Sequence, residues 1–99
     1  MNRAILMCGT NDTLLQVRGK VLERAGFEVD VAKCPAEAQL FLGEEPGRYG
    51  LMLVCHSTPL ELRPVVQCVA EREGLSLFQL DILVDPAELI REVSERLAA

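Results

Sequence analysis

"YGLMLVCHSTP", Tyr49 to Pro59, decides how this chain is read. From Tyr49 to Cys55 no charge interrupts the apolar run. It is strand-length, far short of a membrane span. An unbroken apolar strand argues for cover on both faces, as in a parallel sheet flanked by helices. Cys55, His56, Ser57 and Thr58 follow at its carboxyl end, where α/β domains place their functional crevice.

The segments on either side fit the same scheme. "RAILMC" (3–8) is a short apolar run ending in the turn signal "GTND" and predicts a first strand. "DTLLQVRGKVLERAG" predicts a helix with Leu14, Val17, Val21, Leu22 and Ala25 on its inner face, capped by Asp12 or Thr13 and ended by Gly26. Gly19 inside it costs about 1 kcal/mol against Ala, so packing must hold this helix. "FEVDVA" (27–32) alternates as a strand does, and "CPAEAQLFLGEE" starts a helix with Pro35 at its first position and Glu37 near its positive end.

Beyond the opening stretch, Thr58 to Glu61 has capping-box spacing. Pro64 moves the main helix start close to itself, with Leu62, Val65, Val66 and Val69 as the buried stripe. "LSLFQL" (75–80) predicts a fourth strand. "DPAELIREVSERL" closes with Asp85 as cap and Leu89, Ile90, Val93 and Leu97 facing inward. Strands alternating with helices predict one α/β domain, a three-layer sandwich around a parallel four-stranded sheet, and the strand order is taken as 2-1-3-4. Its crevice lies between strands one and three, lined by Cys8, Gly9, Thr10 and Asn11 on one side and Cys55, His56 and Ser57 on the other.

Ninety-nine residues suffice for one domain, with no linker or repeat dividing them. The formal charge is -5, and the only lysines are Lys20 and Lys33. Without a basic cluster to displace counterions, nucleic-acid binding is not expected. Neither is membrane insertion, and "MNRAILMCGT" turns polar too early for a signal peptide. A cytoplasmic location is expected. The four cysteines, Cys8, Cys34, Cys55 and Cys68, show no metal-finger spacing. Each is expected to be a small buried hydrophobe.

The residue types at the crevice raise three chemistries. Cys55 and His56 are adjacent on a strand and point to opposite faces, which argues against a thiolate–imidazole pair. His56 is expected to bond a nearby loop carbonyl. Cys8 and Cys55 could lie side by side as a disulfide or a soft-metal site, but two apolar thiols at the sheet's mouth fit better. No cofactor and no metal are expected.

"ILMCGTNDTLLQVRGKVLERAGFEVDVA" and "YGLMLVCHSTP" resemble the first three strands of receiver domains from two-component response regulators, a flavodoxin/CheY-like fold. "VDPAELIREVSERL" resembles their last helix. The resemblance places the family's magnesium-binding acidic pair on Gly9 and Thr10, with Asn11 next, and its phosphorylated aspartate on Cys55. The family's later Ser or Thr and Lys have no counterpart; the region offers Gln79 and Asp81. Between Leu80 and Asp85 there is no room for a further βα unit. The resemblance thus implies a degenerate, truncated pseudo-receiver: no enzyme, but a signalling module that binds a protein partner without phosphorylation. A homodimer through the edge of strand four is expected. The alternative is a phosphocysteine carrier, since "ILMCGTNDT" also resembles the loop of sugar-phosphotransferase IIB proteins, with Cys8 as the phosphorylated residue.

Overall fold

The apolar run at the centre of the sequence forms the centre of the sheet. The computed structural model describes residues 4–80 and 85–98. The elements in chain order are β1 (Ala4–Cys8), α1 (Asp12–Arg24), β2 (Val29–Ala32), α2 (Pro35–Glu44), β3 (Tyr49–Val54), α3 (Arg63–Arg72), β4 (Ser76–Gln79) and α4 (Pro86–Ala98). A 3₁₀ turn, Leu60–Leu62, leads into α3. All strand pairs are parallel, in the expected order β2-β1-β3-β4. Arg3, expected to open the first strand, and Asp81 lie outside the described residues.

Alternation along the two central strands divides the core. Leu6, Cys8, Met52 and Val54 face α2 and α3 with Ala38, Leu42, Val66, Val69 and Ala70. Ile5, Met7, Leu51, Leu53 and Cys55 face α1 and α4 with Leu15, Leu22, Leu89 and Val93. The register slips between Ala4↔Tyr49 and Ile5↔Leu51, so Gly50 is the extra residue of a bulge. That bulge returns Tyr49 to the same side as Met52. Beside it, Arg48 binds Glu28 (3.3 Å), Asp30 (3.1 Å) and Glu45 (3.5 Å), while the Tyr49 hydroxyl donates to Asp30. Burial, then the Asp30 carboxylate, push the Tyr49 phenol up to about 12.

Several local expectations need correction. In α1 the inward residues are Leu15, Arg18, Gly19 and Leu22; Val17 is 55% exposed and Ala25 is exposed. The stripe is one residue out of phase because a buried arginine sits on it. The cap is Asn11, whose side chain accepts from Leu14 N–H at 3.1 Å, not Asp12 or Thr13. Gly26 does end the helix, in the left-handed region with φ 98°. Val65 lies outward on α3, and Thr58 donates to the Cys8 carbonyl (3.3 Å) instead of capping a helix. α4 follows expectation: Asp85 accepts from Glu88 N–H at 3.1 Å, and Leu89 and Val93 are buried.

Candidate functional site

The crevice at the carboxyl ends of β1 and β3 brings together all six expected residues: Gly9, Thr10 and Asn11 from one loop, Cys55, His56 and Ser57 from the other. Sequence topology requires this. Both strands are central and parallel, so both chains leave the sheet at the same end. The Cys55 N–H extends the ladder one residue by donating to the Cys8 carbonyl at 2.8 Å.

Above that point the two loops bond to each other. The Ser57 hydroxyl accepts from the N–H groups of Thr10 (3.1 Å) and Asn11 (3.3 Å). The Thr10 hydroxyl donates to the Ser57 carbonyl at 2.7 Å. Arg63, at the start of α3, donates to the carbonyls of Thr58 (3.2 Å) and His56 (3.0 Å). Main-chain amides ahead of a helix are the groups that would hold an anion. Here a side chain of the same protein engages them. Gly9 makes the close approach possible: a Cβ there would meet Ser57 Oγ at 2.9 Å, Cys55 Cβ at 3.1 Å and Leu15 Cδ2 at 3.2 Å. The adjoining void beside Cys8, Cys34 and Thr58 holds about 10 Å³, room for one water at most.

The chemistry of the lining follows from burial. Burial pushes the Cys8 thiol up to about 12, with Cys55 and Cys34 nearby adding to the effect. Burial also raises Cys55, and a hydrogen bond and charge from Arg18 oppose it. Both thiols are therefore protonated at neutral pH and poor nucleophiles. They also belong to opposite faces of the sheet, Cys8 toward α2 and α3, Cys55 toward α1 and α4. The disulfide or shared soft-metal site considered from sequence is thereby ruled out. Among the described residues, no group of His, Cys, Asp and Glu side chains is placed to hold a metal ion. Asp12, the nearest acid in sequence, pairs with Lys33 at 3.0 Å.

Two further expectations fail. His56 Nδ1 is buried and makes no hydrogen bond among the described residues; only the His56 carbonyl is bonded, by Arg63. Cys34 and Cys68 are exposed, so only two of the four cysteines are core residues. Sequence reading missed Arg18 and Arg63. The pair Leu15 and Leu22 at helical spacing held a signal for Arg18, which lies between them on the same face. Arg63 carried none.

No family model matches the sequence, and no curated protein does. Solved structures do. A response regulator from Thermotoga maritima superposes with a TM-score of 0.82 at 16% identity, over 100% of both chains. The receiver domain of the hybrid histidine kinase CckA gives 0.79 at 20% identity, over 95% of this chain and 98% of that one. The chemotaxis protein CheY4 from Vibrio cholerae gives 0.70 at 15% identity, over 98% and 100%. A de novo designed Rossmann fold protein is also similar, with 0.64 at 19% identity. The chain therefore has the flavodoxin/CheY-like fold expected from its sequence, and at these identities the likeness establishes fold alone.

Proposed function

We propose that this chain is a receiver-like domain without phosphotransfer, serving as a phosphorylation-independent protein–protein interaction module in signal transduction. The observation that carries the reading is the occupancy of the mouth. Gly9, Thr10, Asn11, Cys55, His56 and Ser57 supply no carboxylate, and Ser57 is bonded to the amides of Thr10 and Asn11. A hard cation needs several oxygen ligands, and carboxylates above all. In this reading the domain is degenerate, is not an enzyme, needs no cofactor and works in the cytoplasm. The reading also takes the chain to lack one βα unit of a full receiver, at a place between Leu80 and Asp85 that lies outside the described residues, while the chain spans the whole of the Thermotoga maritima structure. No helix among the described residues is long and apolar enough to cross a membrane.

The β4 edge supports a docking role. Among the described residues it is a terminal strand of the sheet, and its groove of about 480 Å³ is lined by Gln67, Glu71, Gln79 and Arg96 as well as Leu75, Leu77 and Phe78. A homodimer through this edge is one arrangement the reading allows. Against the phosphocysteine alternative stand the burial of Cys8 and a thiol pushed up to about 12.

Incubation with acetyl phosphate and Mg²⁺ followed by intact-mass spectrometry tests the reading. No added phosphoryl group is expected. A gain of one phosphoryl on the native chain would overturn it, and loss of that gain in Cys8→Ser would establish the phosphocysteine carrier instead.

A further inference from the structure

The Gly19 anomaly leads to the opposite edge of the sheet. A glycine in the middle of α1 weakens the helix, yet a Cβ at Gly19 would meet nothing within 4 Å. No packing inside the monomer explains the residue. It lies on a groove of about 470 Å³ between α1 and β2, whose apolar lining is Leu15, Val29 and Val31. Asp12, Lys20, Glu23 and Lys33 stand around it.

Among the described residues, the outer edge of the strand beneath this groove is unpaired. Ile5 and Gly9 donate to the carbonyls of Glu28 (2.8 Å) and Ala32 (3.3 Å), so the even-numbered residues of β2 face β1. The main-chain groups of Val29 and Val31 therefore face outward. The Lys33 N–H is taken by Glu37 at 3.0 Å, which limits the exposed ladder to this short stretch. Open edges need cover or a partner.

We propose that a second copy of this chain covers it, the two β2 strands pairing antiparallel around a two-fold axis at Val31. The axis position follows from charge. An axis at Asp30 would set two carboxylates face to face, whereas one at Val31 sets valine against valine and Asp30 against Ala32. Two strand spacings of about 4.8 Å then separate the two α1 helices by roughly 10 Å, the distance at which helices pack. Gly19 leaves room for that approach.

The groove's charges complete the match. Asp12 is level with Lys33, to which it is bonded. Moving from Lys33 to Val29 descends about 13 Å of strand, which is eight to nine residues of helix. Val29 is therefore level with Lys20. The two-fold exchanges the two levels and sets Lys20 of each copy against Asp12 of the other. Lys20 has no ion pair among the described residues. Two lysines and two acids balance here, in a chain whose formal charge is -5. The β4 groove, with Gln67, Glu71, Gln79 and Arg96, offers a more polar surface.

Size-exclusion chromatography with light scattering across the micromolar range tests this. The wild type is expected to dimerise as concentration rises. Val31→Lys, confirmed folded by circular dichroism, is expected to stay monomeric. Lys20→Glu turns two symmetric attractions into repulsions and is expected to weaken association by about tenfold or more. Gln79→Pro, on the β4 edge, is expected to change nothing. A wild type that remains monomeric at high micromolar concentration overturns the proposal. So does a dimer indifferent to Lys20→Glu, or one abolished by Gln79→Pro, which would assign the contact to β4.

Discussion

Replacing Gly9 with alanine probes the closed mouth directly. Gly9 does not have a positive φ, so backbone strain does not enter. Only the new methyl group matters. It would stand 2.9 Å from Ser57 Oγ, 3.1 Å from Cys55 Cβ and 3.2 Å from Leu15 Cδ2. Cys55 and Leu15 belong to a packed cluster and have little room to give. The easiest relief is rotation of Ser57, which breaks its bonds from Thr10 and Asn11, worth about 0.5–1.5 kcal/mol each. Moving the strand ends instead is an overpacking cost of about 1–3 kcal/mol. Restricting the unfolded chain returns about 0.4–1 kcal/mol. The net expectation is a loss of about 1–2 kcal/mol, or roughly 5–15 °C in melting temperature for a domain of this size.

Urea denaturation of Gly9→Ala, Ser57→Ala and the double variant reads this out, provided the slope m is unchanged. In Ser57→Ala the nearest obstruction is gone and its two hydrogen bonds are already lost. The double variant should therefore be more stable than the sum of the single losses implies, by about 1 kcal/mol. A neutral or stabilising Gly9→Ala would show that the methyl group fits without displacing Ser57, contrary to expectation. So would strict additivity, because the methyl and the hydroxyl would then not compete for space.

Thiol titration of the native protein at pH 8 should modify Cys34 and Cys68, which are exposed, while Cys8 and Cys55 react only after denaturation. Stability should fall in alkali: Cys8 holds its proton up to about 12 when folded against 9.0 when unfolded. Its contribution is therefore complete below pH 9 and lost as pH climbs toward 12, by at most about 4 kcal/mol, and Cys8→Ala should blunt the loss. Gly19→Ala should stabilise the monomer by about 1 kcal/mol, measured by urea denaturation at low concentration, since helix propensity improves and the methyl meets no atom within 4 Å.

How far the sequence could be read depends on which force sets each feature. The unbroken run from Leu51 to Cys55 requires cover on both faces, and this cover is present, so strand order and crevice position followed. Phase within α1 did not follow, because Arg18 is buried on the inner face and Val17 exposed on the outer, against the usual polarity of both. The six mouth residues were legible from topology, yet their bonding was not. That Ser57 rather than Thr58 would engage the amides of Thr10 and Asn11 depends on the path of a short loop. So do the two carbonyls gathered by Arg63. Cys34 and Cys68 show the limit of base rates: their surroundings, not their residue type, leave them exposed.

The proposed function depends on a sheet mouth with no place for a divalent cation. Titrating the ¹⁵N-labelled protein with Mg²⁺ and following the amides of Gly9, Thr10, Asn11 and Cys55 measures this directly. These signals are expected to stay where they are at millimolar metal. Saturable shifts confined to those amides would contradict the proposed function.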